Sequence, residues 1–254
     1  MFYDHKYISD ILFNIFVLYN NHMGNKQSKK VALGNRNFKE LDLIFMGSND
    51  SVSKCIRCVE ACIHGKADWS HVGLVISKKY VHLVYPNDDP EDTLYIWEAI
   101  LSSTIPLICP EQVLDADSKT SVFGVQVRKL DDVIKGALSS GQRVGYGKLL
   151  NNPVYIDPLL IMNKTKQLYR EYYHRGFEDD PGECACACLP CNCHCCGDTN
   201  VFCSEFVSHI YQELDIMGRQ FDPSKIMPQD FVNPETSTQE LDRKFVDEVI
   251  EITV

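Results

Sequence analysis

The sequence predicts an α+β domain, and three observations carry that prediction. A run of short β-type segments occupies the middle of the chain, helical segments stand before and after it, and no internal repeat is visible. The β-type segments are WSHVGLVI (69 to 76), YVHLVY (80 to 85), LYIWEAI (94 to 100) and SVFGVQV (121 to 127), divided by turn-rich stretches such as PNDDPED. Successive short strands with tight links predict an antiparallel meander.

Residues 1–39 read as an N-terminal extension. The domain itself, 40–232, opens on ELDLIFMG (40 to 47), a short buried strand closed by Gly47. In SVSKCIRCVEACIHG (51 to 65), Val52, Cys55, Ile56, Val59, Cys62 and Ile63 recur at helical spacing and Gly65 ends the pattern. Cys55, Cys58 and Cys62 read there as small apolar side chains on a packed face, with metal binding as the minority alternative. After the strands, DDVIKGALSSG (131 to 141) predicts a short helix. PLLIMNKTKQLYREYYHRG (158 to 176) predicts a longer one, with Pro158 in its first turn and Gly176 at its end. Residues 177–200 lack apolar periodicity and read as an inserted Cys-rich loop. In CSEFVSHIYQELD (203 to 215), Phe206, Val207, Ile210, Tyr211 and Leu214 share one face, the pattern of a helix packed on a sheet. Residues 233–254 read as a C-terminal tail.

Composition narrows the function. The 254 residues, 44% hydrophobic and 24% charged, are those of a packed globular chain. A formal net charge of −10 argues against nucleic acid as the main partner, since affinity for phosphate backbones comes from Lys and Arg. Of the 12 cysteines, seven crowd into residues 184–196 and three lie on one helical segment, a spacing unlike a secreted disulfide framework. A reducing, cytoplasmic compartment fits better. ILFNIFVLY (11 to 19) is too short and too polar for a membrane span and lacks a basic lead or cleavage site. From Met23 the chain reads MGNKQSKK, the N-myristoylation pattern on Gly24 and Ser28. Two readings of it stay open. One is a chance match in a lysine-rich linker. The other is translation from Met23, with an acyl chain on Gly24 and Lys26, Lys29 and Lys30 giving reversible membrane association.

Three polar residues are set into apolar elements. Cys203 opens the last helix, where unpaired N–H groups and the helix dipole favour a thiolate. His71 interrupts the apolar strand WSHVGLVI, and a buried imidazole needs a polar partner; in isolation a satisfied core histidine is the commoner reading. Glu98 interrupts LYIWEAI, and burying its charge costs several kcal/mol unless it is paired. Nucleophile, base and orienting acid are the set that nucleophilic catalysis requires.

The order HVGLV, WEA, FCSEFV resembles the circularly permuted papain-like cysteine hydrolases of the NlpC-type superfamily, its bacterial and poxvirus branch and, more distantly, the lecithin retinol acyltransferase group. LDLIF (41 to 45), VYID (154 to 157) and MPQDF (227 to 231) extend the similarity over roughly residues 40–232. The resemblance implies a permuted papain-like fold, an antiparallel sheet or small barrel packed against a nucleophile helix. It also implies thiol attack on an amide or ester of a peptide or lipid, through a thioester and without a cofactor. Cys203 corresponds to the nucleophile, His71 to the general base, Glu98 to the group orienting the imidazole, and Tyr155 to a loop near the cleft. The Cys-rich insertion departs from the family. Cys184, Cys186, Cys188, Cys191, Cys193, His194, Cys195 and Cys196 are candidate zinc ligands, although their crowding is unlike a standard site; S-acylation and a poorly ordered loop are the alternatives. Two function classes follow: a thiol hydrolase or acyltransferase, and a non-catalytic, membrane-associated binding or scaffold protein of the same fold.

Overall fold

A computed structural model describes residues 29–35, 37–48, 57, 67–81, 83, 88–100, 114–118, 124–173, 175–177, 200–234, 237, 239, 241 and 243–253. It contains strands β1 (Lys30–Ala32), β2 (Leu43–Gly47), β3 (His71–Ser77), β4 (Leu94–Ile100), β5 (Gly124–Lys129), β6 (Arg143–Leu149), β7 (Gly176–Phe177), β8 (Asn200–Val201) and β9 (Val246–Thr253). The described helices are α1 (Leu130–Ser139), α2 (Pro158–Tyr172) and α3 (Cys203–Glu213). Seven strands form one sheet in the order β1-β9-β6-β2-β3-β4-β5, antiparallel throughout except for β1 on β9. The α+β class is therefore observed.

Side chains alternate across the sheet, so each strand feeds two cores. On one face Phe45, Val72, Leu74, Tyr95, Trp97 and Val127 pack with Tyr169 and Tyr172 of α2 and Phe206, Val207 and Ile210 of α3. On the other, Ile44, Val75, Ile96 and Val144 pack with Val133, Ile134 and Ala137 of α1. Each large side chain so buried contributes roughly 1.5–3 kcal/mol. Asp157 caps α2 through the Leu160 N–H at 2.9 Å, with Pro158 in the first turn as the sequence predicts. The helix stops at Tyr172, four residues before Gly176, because the next residues turn to the sheet: Arg175 donates its N–H to the Tyr172 carbonyl and accepts the Val125 N–H. Gly124 permits that approach, since a Cβ there would stand 1.9 Å from the Arg175 oxygen.

The predicted strand over 80 to 85 is not formed by its described residues. The amides of Lys78 and Lys79 turn to the carbonyls of Thr93 and Glu91, placing Tyr80 in a 3₁₀ turn, so that β3 pairs directly with β4. A small barrel is also not observed, because the described pairings leave β1 and β5 as two edges. Conversely, the sheet takes in residues read as extension and tail. Lys30–Ala32 and Val246–Thr253 pair with one another and, through β9, with β6. β6 itself lacks a strong strand signal because RVGYGKL carries two glycines. Both are packing requirements: a Cβ on Gly145 would meet Trp69 and Val249 within 2.6 Å, and one on Gly147 would meet Val246 at 2.8 Å. The predicted helix over 51 to 65 lies outside the described residues apart from Arg57, which is helical.

Candidate active site

Three adjacent strands build the site, and their register decides which side chains meet. Leu74 pairs with Trp97, Ile96 with Arg128 and Glu98 with Gln126. Continuing the β3–β4 register sets Gly73 opposite Glu98, so that His71, Glu98 and Arg128 fall on one face along a diagonal across β3, β4 and β5. Diagonal neighbours of this kind lie within reach of long side chains. Gly73 in HVGLV keeps the path clear, since a Cβ there would stand 3.0 Å from that of Glu98.

The carboxylate of Glu98 is shared. Its Oε2 lies 2.6 Å from His71 Nε2, and its Oε1 accepts from both Nε (2.8 Å) and Nη2 (2.7 Å) of Arg128. Glu98 is wholly inaccessible to solvent, the Arg128 side chain is 5% exposed, and that of His71 is 20% exposed, so the row opens at the histidine end. Burial opposes the charge on Glu98, but Arg128 and His71 outweigh it and hold the carboxyl below its usual range.

Cys203 enters from the opposite face. It is the first residue of α3, whose start is fixed by Phe206 N–H donating to the Phe202 carbonyl (2.8 Å) and Phe202 N–H donating to the Glu205 carboxylate (3.1 Å). The thiol is a buried free cysteine that hydrogen-bonds the His71 ring, and the backbone N–H groups of Val72 and Ser204 also point at its sulfur. With Nε2 committed to Glu98, Nδ1 is the ring nitrogen left for the thiol. Burial pushes the thiol up, yet the imidazole and the two N–H groups prevail and lower it. For His71, burial favours the neutral ring, whereas Cys203 and Glu98 favour the charged one; its pKa is pushed up to about 10. Both shifts favour a thiolate facing an imidazolium.

The structure thus brings together Cys203, His71 and Glu98. It does not bring Tyr155 to them. Tyr155 is an exposed residue beside Asn152, whose amide donates to the Glu40 carbonyl, and the Glu40 side chain accepts from Ser77 at the far end of β3 from His71. Seven residues of strand separate the two ends by roughly 20 Å, so Tyr155 stands apart from the Cys203, His71 and Glu98 side chains. Gly24 and the zinc candidates Cys184, Cys186, Cys188, Cys191, Cys193, His194, Cys195 and Cys196 lie outside the described residues. Among the described residues no group of three or more His, Cys, Asp or Glu side chains is placed to hold a metal, and no helix is long and apolar enough to cross a membrane.

Arg128 is the residue that sequence reasoning passes over. GVQVRK alternates apolar and polar positions, the pattern of a strand with one wet face, whereas both Gln126 and Arg128 are buried. The available signal was the unpaired Glu98, whose buried charge called for a cation as well as an imidazole. Scanned against protein-family models and searched against curated proteins, the chain finds no match.

Proposed function

We propose that this chain is a thiol hydrolase that cleaves an amide or ester bond of a peptide or lipid through Cys203, His71 and Glu98, on a permuted papain-like scaffold. The observation that carries this reading is the continuous hydrogen-bonded row from the Cys203 thiol through the His71 ring to the Glu98 carboxylate. In the proposed reaction the Cys203 sulfur attacks the carbonyl carbon, and the resulting oxyanion is met by the Cys203 N–H, one of the amides that a helix start leaves without an intrahelical partner. The His71 imidazolium gives its proton to the departing amine or alkoxide, leaving a thioester on Cys203. Water then attacks with His71 as general base; the acid is released and the thiolate–imidazolium pair returns.

An activated ester such as p-nitrophenyl acetate tests the first half-reaction, with the acetyl adduct located by peptide mass spectrometry. Wild type is expected to carry it on Cys203, and His71→Ala to carry far less. Absence of a Cys203 adduct in wild type, or equal labelling in His71→Ala, overturns the proposal.

A further inference from the structure

The buried row holds a cation beyond the Cys–His–Glu set, Arg128, and that addition points to a function. Resting on the hydrolase reading above, we infer that Arg128 is the positioning residue that keeps Cys203 a thiolate, although two side chains stand between them. The reasoning is a charge count. Written as ions, Cys203 and Glu98 are the anions and His71 and Arg128 the cations, alternating along one hydrogen-bonded chain with no net charge. Alternation matters because the groups are withdrawn from water, and a solitary buried charge is strongly disfavoured.

Without Arg128 a single cation, His71, faces two groups able to be anions. The contest is unequal: a carboxyl has an ordinary pKa of about 4.3 and a thiol about 8.5, so the carboxylate wins by roughly four units. His71 would then pair with Glu98, and Cys203 would keep its proton. Arg128 prevents this by satisfying Glu98 from the other side, with both its contacts on Oε1. Oε2 is left to orient the ring, and the ring's positive charge is left for the sulfur. A guanidinium suits the task because it stays charged at any relevant pH and offers two donors to one oxygen.

The inference is tested on the full-length protein by measuring the rate of Cys203 alkylation with iodoacetamide against pH, site by site through peptide mass spectrometry. This readout needs no substrate and reports the thiolate directly. Arg128→Gln is expected to move the inflection upward by at least about one pH unit, a tenfold loss of rate at pH values below it. Arg128→Lys, which keeps the charge, should stay near wild type. The decisive variant is Glu98→Gln combined with Arg128→Gln. It removes one charge of each sign, leaves the sulfur as the only anion for His71, and should recover most of the lost shift. Being charge-balanced, it is also the variant best able to fold if Arg128→Gln alone is not. An unshifted profile in Arg128→Gln, or a double variant whose Cys203 behaves as an ordinary thiol, overturns the role of Arg128. A wild-type Cys203 with an ordinary thiol profile instead overturns the hydrolase reading on which it rests.

Discussion

His71 touches both reacting partners of the proposed chemistry, so its titration sets the upper limit of the working pH range. The thiolate–imidazolium pair exists between the lowered pKa of Cys203 and the raised pKa of His71. Above the second the ring has no proton for the leaving group. The rate of acyl-enzyme formation is therefore expected to fall with rising pH on a limb near 10, and a limb near the ordinary histidine value would contradict the pairing. Asp230 illustrates the opposite use of burial. Its carboxyl accepts the Met227 N–H at 2.8 Å, but burial dominates and pushes its pKa up to about 7. A folded pKa above the unfolded value means that stability is fully present below the unfolded pKa of about 3.8 and is lost as pH rises through 7. Asp230→Asn keeps the acceptor and cannot ionise. Its Tm should change less than that of wild type between pH 5 and pH 8, and an equal change in both would locate the pH dependence elsewhere.

At the scale of elements, one carboxylate holds β2 against β6. Asp42 Oδ1 accepts the Leu149 N–H at 2.9 Å, and Oδ2 accepts the Tyr146 hydroxyl at 2.5 Å and the Lys39 N–H at 2.9 Å. Asp42→Ala leaves the buried Leu149 N–H and Tyr146 hydroxyl, and the part-buried Lys39 N–H, without their acceptor and is expected to cost about 3 kcal/mol or more in urea unfolding, against about 1 kcal/mol for Tyr146→Phe, which removes one bond alone. These elements also show what was legible in the sequence. LYIWEAI and CSEFVSHIYQE announce themselves because local pattern and tertiary role agree: aliphatic and aromatic positions in the strand, a 3.6-residue stripe in the helix. The polar intruders His71, Glu98 and Cys203 were legible for the same reason, each conflicting with an otherwise apolar element. β6 and β9 were not, since what makes them strands is long-range. The glycines of β6 answer to Trp69 and Val246, and VDEVIEIT becomes a strand only against β6 and β1. Arg128 was missed because a polar residue on an alternating strand normally faces water, and only the register with β4 shows that it does not.

Over the whole molecule, the row of charged side chains and the VYID turn occupy opposite ends of the sheet. Leu150, Tyr155, Ile156, Leu159 and Leu160 are exposed there, around the turn that leads into α2. Tyr155→Ala is expected to leave Cys203 acylation within about twofold of wild type and stability within about 0.5 kcal/mol, as for surface changes remote from special contacts. A large loss of acylation would instead mean that Tyr155 takes part in the cleft. The short parallel ladder of β7 on β8 has a separate implication for the chain's modularity. Gly176 pairs with Asn200 and Phe177 with Val201, so the residues on either side of 178–199 lie side by side just before Cys203. A linker of about five Gly and Ser residues is long enough to join Phe177 to Asn200 across this pairing. A chain shortened in this way should keep its Cys203 reactivity while losing the seven cysteines of residues 184–196 at once.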